Sequence, residues 1–95
     1  MPERATQRVV IKNRLGMHAR PAMSFVDLAS SFACDVFVHR ADAGESERVD
    51  GKSIMQMMML AATCGTELVI TTEGPGAEVA CRQLKELVER GFDEE

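Results

Sequence analysis

At 95 residues the chain has room for one domain with a single modest core, and 45% apolar against 27% charged residues, with four Phe and neither Trp nor Tyr, excludes a disordered or fibrous protein. A net charge of -4 argues against nucleic acid as a partner, because binding to phosphate backbones relies on clustered Lys and Arg. No apolar run approaches the roughly 20 residues of a membrane span, and residues 1–7 are too polar for a signal peptide, so no membrane insertion is expected and the cytoplasm is the default.

Residues 8–12 predict a first strand, with Val9 and Ile11 on one side and Val10 on the other, and residues 13–16 read as a turn. Pro21 suits the first turn of a helix, where its missing N–H costs nothing, so a helix begins between Ala19 and Pro21. Ala22, Phe25, Val26, Ala29 and Phe32 then recur at helical spacing. Residues 34–39, rich in Val and Phe, predict a second strand; residues 41–47, with Gly44, a loop; residues 47–50 a short third strand.

Asp50 and Ser53 are both candidate N-caps for a Met-rich helix over residues 54–62, closed by Gly65. Residues 67–72 predict the fourth strand. Gly74-Pro75-Gly76 is a turn ahead of a last helix with Ala77, Ala80, Cys81, Leu84 and Val88 on one face, stopped by Gly91. Seven elements whose helices can cover one side of a small sheet indicate an α+β open-faced sandwich spanning residues 1–95 as a single domain.

Cys34, Cys64 and Cys81 are odd in number, widely spaced and outside any C-x-x-C pair. They predict buried free thiols rather than a disulfide framework or zinc site. No metal or cofactor is expected. His39 lies within an apolar strand and reads as a structural or surface histidine. Charge is uneven: residues 1–20 carry Arg4, Arg8, Lys12, Arg14 and Arg20 against Glu3 alone, net +4, which leaves -8 for the other 75. A locally basic face on an acidic body suits an anionic ligand or an acidic protein surface, although solvated surface charge explains the same pattern.

Chemistry concentrates in Gly16-Met17-His18-Ala19-Arg20-Pro21-Ala22, where a histidine stands between a strand end and a helix start. The first amides of a helix have no intrahelical acceptors and carry the positive end of the helix dipole, so an anion gains hydrogen bonds and favourable charge there. A phosphorylated imidazole is such an anion, and Arg20 could add a charge-assisted contact. From spacing alone, a polar surface histidine remains the commoner case.

At these residues the chain resembles the histidine phosphocarrier family, HPr, whose active-site motif matches residues 16–22 without a gap. The likeness continues through Asp50-Gly51-Lys52-Ser53-Ile54-Met55, which resembles a regulatory serine segment, and through Gly65-Thr66-Glu67. It implies a βαββαβα chain with a four-stranded antiparallel sheet, order 1-4-2-3, and three helices on one face. It also implies phosphorylation of His18 at Nδ1, assistance from Arg20, a regulatory phosphorylation site at Ser53, and a docking surface of Met17, Ile54, Met55 and Met58, where flexible Met side chains can accommodate several partners.

The expected protein is a monomeric relay component rather than an enzyme. Enzyme I, charged by phosphoenolpyruvate, would phosphorylate His18, and an enzyme IIA would take the group on, while a serine kinase/phosphorylase would act on Ser53. Residues 15–23 and the ending Gly91 to Glu95 resemble nitrogen-related carriers, whereas Gly51 to Met55 resembles carriers regulated by a serine kinase. The chain departs from the sugar-transport pattern in a longer loop, residues 40–47, expected to lie away from His18. Two rivals stand beside the carrier: a small ligand- or RNA-binding module using His18 and Arg20 to hold an anion, and a regulatory phosphoprotein acting through Ser53 alone.

Overall fold

The computed structural model describes residues 3–93; Glu94 and Glu95, part of the ending that resembles the nitrogen-related carriers, lie outside them, as do the first two residues of the expected 1–95 domain. The order is β1 (Arg4–Val10), α1 (Ala19–Ser30), β2 (Asp35–Arg40), β3 (Val49–Asp50), α2 (Ile54–Met59), β4 (Glu67–Glu73) and α3 (Ala77–Glu89), with short 3-10 turns at Glu45–Glu47 and Gly91–Asp93. The four strands form one antiparallel sheet in the order β1-β4-β2-β3, as the resemblance implied.

Alternation decides which face of the sheet is covered. Val9 and Ile11 are buried and Val10 is exposed, while Val36, Val38, Leu68 and Ile70 join Phe25, Met57, Leu84 and Val88 in the core between sheet and helices. β1 starts at Arg4, four residues before its expected start, because Arg4 to Gln7 pair with Glu73 to Ile70 despite their polar sequence. Cross-strand hydrogen bonds do not need apolar side chains on the solvent face.

The face away from the helices is partly roofed. Arg4 bonds Glu45 at 3.0 Å and Glu73 at 3.2 Å, Arg48 reaches Glu45 at 3.5 Å, and the Arg48 guanidinium stacks 3.8 Å above the Phe37 ring. Phe37 pairs with Thr71 across the sheet, and Thr71 and Val69 are buried on this side. The segment following β2 is therefore folded onto the sheet rather than extended into solvent.

The middle helix is shorter than its apolar run. Ser53 caps it, its Oγ accepting the Gln56 N–H at 3.2 Å, while Asp50 instead accepts the Lys52 amide at 2.9 Å. α2 ends at Met59, not near Gly65: Leu60 closes it, Ala61 takes a left-handed φ of 52°, and Gly65 belongs to a separate turn with φ 93°. α3 stops as expected, with Gly91 at φ 68° just past the Arg90 cap.

Candidate functional site

Residues 11–18 carry the chain from β1 to α1 and are held by backbone hydrogen bonds at Ile11, Asn13, Gly16, Met17 and His18 and by the Asn13 side chain. Ile11 donates to Thr66 O at 2.9 Å and accepts from Gly65 N at 2.8 Å. The Asn13 side-chain amide donates to Gly16 O at 2.7 Å, and Gly16 N returns to Asn13 O at 3.2 Å. Met17 N donates to Ala62 O at 2.8 Å, which ties the loop to the exit of α2. Gly16 is required at this crossing: its φ is 73°, and a Cβ there would lie 2.5 Å from Ala62 O.

His18 is the N-cap of α1. Its backbone is extended (φ -92°, ψ -168°), its N–H donates to Gly16 O at 3.0 Å, and its carbonyl accepts from Ala22 N at 3.0 Å. Pro21 has no N–H and Ala22 has already spent its own. The amides of Ala19 and Arg20 are thus the ones left without an intrahelical acceptor, and both residues are exposed. No acidic residue occupies the first turn of α1 to compete for them. The imidazole is half-buried, with Nε2 shielded from solvent. Arg20 and Arg14 are exposed and make no ion pair with a described carboxylate, unlike Arg4, Arg8, Arg40, Arg48 and Arg90.

The structure thus brings His18 and Arg20 to one helix end and sets the exit of α2 against the loop before them. Ser53 lies at the opposite end of α2, about 10 Å along its axis by helical rise. Met55 and Met58 are exposed (72% and 43%) and Ile54 is half-buried, whereas Met57 is fully buried. The expectation for Met17 is corrected: at 5% exposure it belongs to the core and offers no side chain to a partner. Leu15, Met23 and Met59, absent from the expected docking set, are more than half exposed and add apolar surface on the loop, on α1 and on α2. Spacing offered a signal for Met59, which is four residues from Met55 and shares its helix face.

Cys34 and Cys81 are buried, but Cys64 is exposed in the turn after α2, with Sγ 3.7 Å from Lys12 O. Burial pushes the Cys81 thiol above its ordinary range. His39 Nδ1 is bonded to Arg40 O at 2.9 Å. Among the described residues no group of three or more His, Cys, Asp or Glu could hold a metal ion, and no helix is long and apolar enough to cross a membrane.

Comparison with known proteins agrees with the architecture. Residues 5–90 match the family described as the PTS HPr component phosphorylation site. The phosphocarrier protein HPr of Pseudomonas aeruginosa is 46% identical over 86 residues, covering 90% of this chain and 92% of that protein. The phosphocarrier protein NPr of Proteus mirabilis is 38% identical over 89 residues, covering 94% and 96%. Among solved structures, HPr from Thermoanaerobacter tengcongensis superposes with a TM-score of 0.84 at 36% identity, covering 96% of this chain and 98% of that one.

Proposed function

The chain belongs to the HPr family of phosphocarriers of the phosphotransferase system, and from that premise we propose that it accepts a phosphoryl group from enzyme I on Nδ1 of His18 and passes it to an enzyme IIA. The observation that carries this reading is the seat of His18. An N-cap imidazole has one ring nitrogen shielded, two helix amides without intrahelical acceptors following it, and, two residues on, an arginine that pairs with no described carboxylate.

Each part has a chemical role. Nε2 is enclosed, and the likeness to the family assigns the attack on phosphorus to Nδ1. The P–N bond forms as the bond from phosphorus to the donor atom breaks; the donor atom keeps that electron pair and the imidazole keeps its ring proton, so no proton moves in the step. The transferred group brings negative charge to the start of α1, where the Ala19 and Arg20 amides and the Arg20 guanidinium stabilise it. Exposure of these groups keeps the hold weak, as a carrier that must release its cargo requires. Partners supply the remaining alignment, and the chain acts as a monomeric relay rather than as a catalyst.

Ile54, Met55 and Met58 form the docking surface, extended by Leu15, Met23 and Met59. Ser53 is the regulatory position: its hydroxyl caps α2, and a phosphate there would set two negative charges beside Ile54 and Met55, opposing apolar contact with partners. The deciding experiment incubates the full chain with phosphoenolpyruvate and enzyme I. It should acquire one acid-labile, alkali-stable phosphate, lost in His18→Ala with the fold retained. Labelling of His18→Ala at the wild-type level would overturn the site, and no labelling of wild type would leave the anion-binding module standing.

A further inference from the structure

We propose that Arg40 is a positioning residue for phosphoryl acceptance, its guanidinium fixing the turn after α2 on which the Met17–His18 backbone rests. The inference builds on the carrier reading of His18. It begins with a guanidinium that is fully committed. Arg40 Nε and Nη2 each donate at 3.1 Å to the two carboxylate oxygens of Asp42, a bidentate grip that fixes the plane of the group. Its Nη1 is thereby aimed at the end of α2, donating to Leu60 O at 3.3 Å and Ala61 O at 3.2 Å.

Those carbonyls belong to the cap of α2 and the residue just beyond it, where intrahelical donors have run out and a cation is favoured. They also flank a disfavoured conformation. Ala61 has φ 52°, which an L-residue adopts only when its surroundings enforce it. Apart from Arg40, the enforcement comes from the Ala61 N–H to Met58 O bond at 3.2 Å and the Leu60 N–H to Met57 O bond at 3.2 Å. The next residue, Ala62, is buried, and its carbonyl accepts from Met17 N at 2.8 Å. Gly16 packs against that same oxygen with no room for a Cβ. Any relaxation of Ala61 therefore moves the acceptor of Met17 and, through Met17, the cap residue His18.

The far side of the same turn is anchored independently, by Ile11 to Thr66 and Gly65 to Ile11, so Arg40 governs the Leu60 side alone. This route also ties the segment after β2 to the site. The loop expected to lie away from His18 begins at the residue that clamps its foundation.

The test uses the full chain with Arg40→Gln, and Arg40→Lys as a variant that keeps the charge but cannot grip Asp42 and both carbonyls together. Amide hydrogen exchange should quicken about tenfold at Met17 while Leu84 and Ile70, in α3 and β4, keep wild-type protection. In enzyme I-dependent phosphorylation, kcat should fall roughly three- to tenfold with KM little changed, because misplacement of the nucleophile rather than docking is affected. Lys should rescue neither readout. Unchanged protection at Met17, a rise shared equally by Leu84, or local loosening with an unchanged kcat would each overturn the proposal. Should Arg40→Gln fail to fold, Asp42→Asn, which frees the guanidinium without removing it, decides by the same two readouts. If wild type takes no phosphate, the carrier reading fails, and the Met17 exchange still shows whether Arg40 holds the loop.

Discussion

Gly16→Ala is the substitution that separates a rigid His18 loop from a yielding one. Two penalties meet at this position. A left-handed backbone costs a non-glycine residue about 1–2 kcal/mol, and the φ of Gly16 is 73°. The new methyl would also lie 2.5 Å from Ala62 O and 2.8 Å from Thr63 Cα, both backbone atoms that cannot swing aside as a side chain would. Overpacking of that kind adds about 1–3 kcal/mol, for a total of roughly 2–5 kcal/mol. Gly65→Ala is the control, since its φ is 93° but nothing lies within 4 Å of the added Cβ, leaving the conformational penalty alone. For a domain of this size each kcal/mol moves the melting temperature by about 4–8 °C, so Gly16→Ala should melt at least about 5 °C below Gly65→Ala in thermal unfolding followed by circular dichroism. It should also take phosphate from enzyme I more slowly, because the 2.8 Å Met17 to Ala62 bond cannot survive the displacement. Equal melting temperatures for the two variants would refute the reasoning, showing that the exit of α2 gives way without cost.

Arg20→Ala should slow single-turnover phosphorylation of His18 by roughly tenfold or more, with stability within about 0.5 kcal/mol of wild type; an unchanged rate removes Arg20 from the site. Met58→Glu should weaken the complex with enzyme I by more than about 1 kcal/mol in titration calorimetry and melt near wild type. Met57→Glu, at a fully buried position, should collapse the fold, and equal melting of the two variants would make Met58 core. Ser53→Asp should retain the cap and the melting temperature while slowing phosphorylation of His18. Ser53→Ala should lose about 1 kcal/mol with the Gln56 bond and transfer at the wild-type rate; the regulatory reading falls if Ser53→Asp transfers equally fast. In native protein a thiol reagent should modify Cys64 at once, and Cys34 and Cys81 only at the rate of unfolding. Because burial raises the Cys81 thiol in the fold, its contribution is intact below the ordinary thiol range and is lost as pH rises through the folded value. Three equally fast thiols would contradict the packing.

Elements whose signal is local and repeated were legible. The Val9, Val10, Ile11 alternation, the α3 face from Ala77 to Val88 and its stop at Gly91 all follow from side-chain periodicity and a single left-handed glycine. Features set by tertiary partners were not. The polar start of β1 is ordered by pairing with β4, and α2 stops at Met59 although apolar residues continue, because Arg40 and the crossing with Gly16 hold Ala61 in a conformation no propensity favours. The fold of the segment after β2 onto the sheet depends on Glu45, which pairs locally with Arg48, also meeting Arg4, a residue 41 positions away, and no composition rule encodes that second meeting.

The burial of Met17 is set by a tertiary contact rather than by a local pattern. Met17 lies in a bend ahead of the extended cap residue His18, so no strand-like alternation in the sequence marks which way its side chain turns. The 2.8 Å bond from Met17 N to Ala62 O draws that bend against the exit of α2, where the Met17 side chain is buried. Its burial gives Met17 a different part in the relay: it anchors the backbone immediately before the nucleophile, leaving docking to the exposed methionines of α2. Met17→Ala should accordingly cost about 2–5 kcal/mol as a core truncation and should lower the affinity for enzyme I far less than Met58→Glu does. Calorimetric titration of the two variants under conditions where both are folded separates these roles. If Met17→Ala proves fully stable yet binds as poorly as Met58→Glu, the side chain faces the partner and the inward reading is wrong.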